Sequence, residues 1–326
     1  MKTITLGSSG IACEAVGLGT WAMGGWMWGG HDDRGAIEAI RASLDAGVRL
    51  IDTAPAYGLG HAERMVGEAL QGRRHEAVIA TKCGLVWNTR RGTHFFDEEG
   101  QPVHRYLGRE SIFAEVEESL VRLRTDHIDL YITHWQDATT PVAETMDALL
   151  ALKRQGKIRA IGVSNVDAPT LRAYLRHGPV DAIQERYSLL DREIEAELVP
   201  LCRAHGVAVL GYSSLAMGLL AGPIDPARRF TGDDQRAANP RFSPANRAAL
   251  QAFFSELAPL RESLGCSFSQ LLIAWTFSHG AVDVALCGAR NPGQAIDNAA
   301  AGRLSLSDAQ RAVIDAARVR HLLGLG

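Results

Sequence analysis

Short apolar runs and longer amphipathic stretches alternate along nearly the whole chain. The runs are Ala15–Leu18, Leu50–Asp52, Ala77–Thr81, Ile128–Thr133, Ala160–Val163, Ala182–Gln184, Ala208–Gly211 and Val284–Cys287. Brief, nearly continuous runs of this kind are what strands buried on both faces look like, whereas a half-exposed strand would alternate. Between them, Ile37, Ile40 and Leu44 fall on one helical face, as do Ile112, Val116, Leu120 and Leu123. Another helix has Met146, Leu149 and Leu150 on its apolar face, ends on Lys153-Arg154, and meets a glycine, Gly156, placed to stop it. Eight strands alternating with helices predict a closed parallel barrel in preference to an open sheet. Ahead of this repeat, Thr3–Leu6 and Ile11–Glu14 flank Gly7-Ser8-Ser9-Gly10 and predict an N-terminal β-hairpin.

Three connections break the rhythm: Thr20–Asp32, Gly84–Gly108 and Met217–Pro244. Loops this long inside a compact domain are usually functional or disordered. Each follows a strand's C-terminal end, the side on which a barrel keeps its site. The first holds Trp21, Met23, Trp26, Met27 and Trp28, and the second holds Trp87, Phe95 and Phe96. Such aromatics at the mouth predict an apolar pocket for a small organic substrate, with Trp21, Trp87 and Trp135 as candidate walls. Lacking a Ser- or Pro-rich linker, residues 1–326 read as a single domain.

Composition narrows the function classes. A net charge of -3 and a pI near 6.4 give no electrostatic reason to expect nucleic acid or an anionic membrane as partner. Mean hydropathy is -0.04 and the apolar runs are far too short to span a bilayer. Cys13, Cys83, Cys202, Cys266 and Cys287 are scattered, without C-x-x-C spacing, so neither a disulfide framework nor a zinc knuckle is indicated. No His/Asp cluster has metal-ligand spacing along the chain, and no metal is expected. A reducing cytoplasmic setting is the expectation.

The candidate chemistry sits at strand ends. Asp52 and Tyr57 lie in Ile51-Asp52-Thr53-Ala54-Pro55-Ala56-Tyr57-Gly58, Lys82 closes a later run, and His134 closes the next. A tyrosine is too weak an acid near pH 7 to be an efficient proton donor by itself. A lysine ammonium within reach is expected to pull the phenol down, and a carboxylate beyond it to orient the lysine. Tyr57 is then the proton donor, Lys82 its electrostatic partner and Asp52 the orienting group, while His134 is placed either to share the proton or to hydrogen-bond a substrate carbonyl oxygen.

These residues and several ordered motifs resemble the aldo-keto reductase superfamily, including the branch that contains potassium-channel β subunits. The resemblance runs through Gly17-Leu18-Gly19-Thr20-Trp21, Asp52 to Gly58, Lys82, and Asp129-Leu130-Tyr131 leading to His134. It continues through Gly156 to Asn165, Gln184 to Ser188, Gly211 to Leu215 and Gly288 to Pro292. It implies a (β/α)8 TIM barrel that binds NADP(H) across its mouth, with NAD(H) less favoured, and reduces a small-molecule aldehyde or ketone. The catalytic set it implies is Asp52, Tyr57, Lys82 and His134. Gly19, Thr20 and Trp21, with Asp52, are implied at the cofactor site. Ser164, Asn165 and Gln184 match residues that hold the nicotinamide carboxamide, and Tyr212 matches the ring that stacks on it. Ser213, Ser214, Leu215, Met217 and Gly218 match a loop along the pyrophosphate. Gly288, Arg290, Gln294, Asp297 and Asn298 match the adenosine end. A monomer or weak homo-oligomer is implied.

Arg290 precedes a helix start at Asn291-Pro292, where a 2′-phosphate would gain from both the helix dipole and the guanidinium. Related sequences often carry Arg and then Thr-Gly-Lys where this chain has Met217-Gly218-Leu219-Leu220-Ala221-Gly222-Pro223, so a looser pyrophosphate clamp is expected. The stretch Gly17-Leu18-Gly19-Thr20-Trp21-Ala22 also fits a dinucleotide fingerprint, but that motif needs a helix to open there. The glycine-rich run that follows argues against a Rossmann domain. Two alternatives remain in view: an NADP(H)-binding regulatory subunit, opposed by the lack of a long basic N-terminal segment, and a Schiff-base aldolase using Lys82. A carboxylate that keeps Lys82 charged argues against the aldolase.

Overall fold

The computed structural model describes residues 1–225 and 227–325. The eight apolar runs are the eight strands of a closed parallel barrel: Val16–Gly19, Leu50–Asp52, Val78–Cys83, Ile128–Thr133, Ile158–Ser164, Ala182–Arg186, Ala208–Tyr212 and Val284–Gly288. They pair in chain order, and the eighth closes against the first through Leu286 opposite Gly17 and Gly288 opposite Gly19. Most strands run past the apolar stretch into Cys83, Ser164, Arg186, Tyr212 and Gly288. Ladder pairing at the rim does not require an apolar side chain.

Residues two apart on a strand share a face. One face lines the barrel interior with Leu50, Val78, Ala80, Leu130, Ile132, Ala160, Ala182, Ala208, Leu210, Val284 and Leu286. Gly162 belongs to the same face, where a Cβ would come within 2.9 Å of Ile132. The expected hairpin, Thr3–Thr5 paired with Ala12–Glu14, contributes Leu6 and Cys13 to this same cluster. The N-terminal end of the barrel is therefore plugged with apolar side chains. Following the inward parity to the other end gives Asp52, Lys82, His134, Ser164, Gln184 and Tyr212. The barrel is apolar below and polar at its mouth.

Helices surround the strands and end where local chemistry stops them. Val142–Arg154 gives way to Gly156 at φ +75°, a conformation a side chain would strain. No described helix is long and apolar enough to cross a membrane.

The connection Gly84–Gly108 is more ordered than a loop. It contains a three-stranded antiparallel sheet of Leu85–Val86, Thr93–Glu98 and Gln101–Arg105. Its tight turn uses Glu99 and Gly100, both at positive φ, which suits a two-residue hairpin. Pro102 and a register irregularity between His94 and Phe96 obscured the alternation in sequence. The connection Thr20–Asp32 opens with a short 3-10 turn, Trp21–Met23, and no α-helix starts before Asp33. A dinucleotide fingerprint helix is accordingly not formed there.

Candidate active site

Asp52 ends the second strand, Lys82 lies near the end of the third, and both are buried. The Lys82 ammonium donates to Oδ1 and Oδ2 of Asp52, both at 2.9 Å, to the Thr53 carbonyl at 2.9 Å, and to the Tyr57 hydroxyl at 3.1 Å. Tyr57 sits in the turn after Asp52, and its ring packs edge-on against His134 at 5.7 Å between centroids. His134 follows the fourth strand, its backbone amide anchored on the Cys83 carbonyl at 2.8 Å. The four residues thus meet at the barrel mouth, placed by three strand ends, with Asp52 and Tyr57 both supplied by the second.

The electrostatics differ from the expectation for Tyr57. Burial, and then the Asp52 carboxylate, push its phenol well above the ordinary tyrosine value. The Lys82 ammonium, 3.1 Å from the hydroxyl, does not outweigh them. Burial also holds the Lys82 ammonium below the usual lysine range, against the pull of Asp52. Burial, then the nearby Lys82 charge, keep the His134 imidazole well below its usual value. It is neutral at pH 7. Its Nδ1 is buried with no hydrogen-bond partner among the described residues.

Around this centre the rim is hydrogen-bonded. Gln184 donates to Asp52 Oδ1 at 2.7 Å, and Ser164 Oγ donates to the Gln184 carbonyl at 2.6 Å. Asn165 donates to the His134 carbonyl at 2.8 Å and accepts from the Tyr212 hydroxyl at 2.8 Å. Thr20 donates through both its amide and its hydroxyl to the Asp52 carbonyl, which fixes the first loop to the second strand. Gly19 and Gly288 face each other across the seam where the barrel closes. A Cβ on Gly288 would meet only the Gly19 carbonyl, 4.0 Å away, and one on Gly19 nothing within 3.9 Å. Neither position carries a side chain, so the backbone is open on that side of the seam. Beyond it Ser213 and Met217 take positive φ and the chain curls tightly through Gly218.

Aromatic rings wall the mouth. Trp21 lies 6.5 Å from the Tyr57 ring and 5.3 Å from Trp28, while Trp135 packs on Phe95 at 5.1 Å. Trp87 and Trp135 both pack on the small cluster of Ala56, Leu85 and Val103. The inserted sheet therefore carries one wall and the first loop the other, joined where Trp26 stacks on Phe96 at 5.0 Å.

Residues 15–319 match the Aldo/keto reductase family. The chain belongs to that family. It is 42% identical over 315 residues to the NADH-specific methylglyoxal reductase of Escherichia coli (strain K12), covering 95% of this chain and 96% of that protein. Among solved structures it superposes on the glycerol dehydrogenase of Gluconobacter oxydans with a TM-score of 0.88 at 39% identity, covering 98% and 96% of the two chains. An aldo/keto reductase from Klebsiella pneumoniae, in complex with NADP and acetate, gives a TM-score of 0.74 at 30% identity, covering 97% and 95%.

Within this aldo/keto reductase, several residues expected along a cofactor are committed to the protein itself. Asp297 accepts from Ser267 Oγ at 3.0 Å and from Gln270 at 2.7 Å, so it locks the capping box of a neighbouring helix. Ser214 is buried and donates to the Gly211 carbonyl at 3.1 Å, and Leu215 packs on the core. Asn298 donates to the Gly288 carbonyl at 3.0 Å, and the Gln294 side chain accepts from the Arg290 amide at 2.8 Å. Asn291 caps the helix Pro292–Ala301 as expected. The Arg290 guanidinium donates to the carbonyls of Trp28 and Gly30, both at 3.0 Å, and straps the first loop to the eighth strand.

Other residues of the mouth left no signal in sequence. Asp233 accepts from the amides of Met27 and Gly29 at 2.7 and 2.9 Å, clasping the first long loop to the third. Nothing in Thr231-Gly232-Asp233-Asp234 distinguishes it from an ordinary turn. His31 and His61, separated along the chain, both bond Asp33.

Proposed function

We propose that this aldo/keto reductase reduces a small aldehyde or ketone, taking hydride from NADPH in preference to NADH and a proton from Tyr57. The observation that carries this reading is the Asp52–Lys82–Tyr57 chain of hydrogen bonds beside a neutral His134. When bound, the nicotinamide supplies the hydride that adds to the carbonyl carbon. Lys82 donates to the Tyr57 oxygen, so the phenol's own proton is left to donate outward to the carbonyl oxygen. The phenolate that remains is held by the Lys82 ammonium and regains its proton from solvent. His134, neutral and half-buried, donates a hydrogen bond to the same carbonyl oxygen without itself changing charge.

The residues fit a nicotinamide cofactor. Gly19 and Gly288 leave the backbone open at the seam, and Ser164, Asn165 and Gln184 bring polar groups to the same rim around His134 and Asp52. Among the described residues no carboxylate forms an ion pair with Arg290, and its two bonds to carbonyls leave three guanidinium N–H groups free. A 2′-phosphate can therefore be held there without dismantling the loop strap. That is the argument for NADPH, although the E. coli relative is described as NADH-specific. Methylglyoxal is the first substrate to try, with glycerol for the reverse direction, given the named activities of the relatives. The Lys82 aldolase is disfavoured because every N–H of its ammonium is engaged.

The test is the rate of NADPH and of NADH oxidation with methylglyoxal, measured as kcat/KM for each cofactor. Arg290→Ala should cut the NADPH-over-NADH preference by roughly tenfold, the size of one charge-assisted hydrogen bond. An unchanged ratio would remove Arg290 from cofactor selection. A wild-type preference for NADH would reverse the cofactor assignment while leaving the reductase reading intact.

A further inference from the structure

Three metal-ligating side chains outside the tetrad converge on one point at the edge of the mouth. His31 closes the first long loop, Asp33 lies in the first turn of the helix Asp33–Asp45, and His61 opens the helix His61–Ala69. His31 Nδ1 and His61 Nε2 lie 2.9 and 2.8 Å from the same oxygen, Oδ1 of Asp33. One ligand atom from each residue lies within 4.8 Å of the others, and the two imidazole rings are 4.5 Å apart. Four-coordinate zinc with bonds near 2.0–2.1 Å would set neighbouring ligand atoms about 3.3 Å apart. The present separations, 2.8 and 2.9 Å to the carboxylate oxygen and no more than 4.8 Å between any two ligand atoms, bracket that spacing.

The backbone around each ligand is held by hydrogen bonds that need no metal. Asp32 caps the helix that carries Asp33, accepting from the Gly35 amide at 3.0 Å. His61 sits at a helix start, and its amide donates to the Gly58 carbonyl at 2.9 Å. The loop ending at His31 is folded back by Gly30 donating to the Gly25 carbonyl at 3.3 Å. His31 and Asp33 are solvent-exposed, so the open side of the triad leaves room for water to complete the coordination.

We propose that His31, Asp33 and His61 form a binding site for a divalent transition-metal ion of the zinc class. Two imidazoles and one carboxylate suit zinc, nickel or copper far better than magnesium or calcium, which prefer all-oxygen shells. Such an ion would tie the loop carrying Trp21 and Trp28 to the turn that follows Tyr57. It would stiffen the mouth from outside without touching the tetrad. The proposal is independent of the function assigned to that tetrad.

The test is a zinc titration of the untagged full-length protein by calorimetry, repeated with magnesium. His31→Ala and His61→Ala are the test variants, and His75→Ala, an exposed histidine elsewhere, is the control. The expected result is one zinc per chain with a micromolar dissociation constant and no magnesium binding. Either test variant should weaken zinc by about tenfold or more, while His75→Ala changes nothing. Zinc should raise the melting temperature of the wild type and not of the double variant His31→Ala/His61→Ala. Zinc affinity unchanged in that double variant, or no zinc binding to the wild type, overturns the proposal. Circular dichroism of the variants distinguishes a lost site from a lost fold.

Discussion

Lys82 offers three N–H groups to four acceptors, two of them on one carboxylate. That crowding fixes its position and directs the lone pairs of Tyr57 inward, leaving the phenol proton outward. His134 contributes differently, because burial and the Lys82 charge keep its imidazole neutral well below its ordinary range. A group whose pKa lies that low does not titrate between pH 8 and pH 6. The rate of carbonyl reduction should therefore show no inflection near pH 6.5. An inflection there that vanishes in His134→Gln would mean that His134 is a protonated acid in the working enzyme. Asp52, Lys82 and His134 stood out as candidates in sequence because each lies where a strand run ends, and Tyr57 because it lies in the turn just after Asp52. The upward shift of Tyr57 was not legible there, since it depends on how deeply the phenol is buried and on how near the Asp52 carboxylate lies, and the linear sequence records neither.

At the scale of elements, the first loop is pressed against the turn that carries Tyr57. A Cβ on Gly24 would lie 2.6 Å from the Tyr57 carbonyl carbon, and one on Gly58, at φ +65°, 2.3 Å from the Gly24 oxygen. Backbone packed on backbone in this way locates the phenol more tightly than side-chain contacts would. Gly24→Ala should therefore push the Tyr57 turn out of place and lower kcat by about tenfold to a hundredfold, with a smaller effect on cofactor affinity. Steady-state kinetics with a parallel cofactor titration checks it, and a loss confined to cofactor affinity would contradict it. Sequence pattern located this loop and its aromatics but could not pair them. Trp21 beside Tyr57 and Trp26 on Phe96 join segments far apart along the chain. The inserted sheet was missed because Pro102 and the irregularity at His94–Phe96 interrupt the two-residue period on which strand recognition rests.

At the scale of the whole molecule, buried carboxyls brace the strand-to-helix connections. Glu115 accepts from the Gly84 amide after the third strand at 2.8 Å, and Glu185 accepts from the Val166 amide after the fifth at 2.9 Å. Burial pushes each of them up to about 8. Both therefore hold a proton more tightly folded than unfolded. Their contribution is fully present below the ordinary carboxyl range and is lost as pH rises from there through about 8. The melting temperature should fall between pH 5.5 and pH 8.5, and Glu115→Gln should flatten that decline. A melting temperature that rises over this window would contradict the assignment. If the chain is one domain, as its sequence suggests, the melt is a single cooperative transition. The barrel itself could be read from the eight apolar runs, because strands buried on both faces leave so little room for polar residues. Its polar mouth could also be read, by extending the inward parity past Ala80 to Lys82 and past Ile132 to His134.

Delivery of the proton by the Tyr57 hydroxyl is put to the test by Tyr57→Phe. The measurement is kcat for methylglyoxal reduction by wild type and variant, with NADPH binding followed in parallel by quenching of tryptophan fluorescence. The account predicts a loss in kcat of about a hundredfold or more, with cofactor binding intact. A variant that binds NADPH normally and turns over within a fewfold of wild type would contradict it.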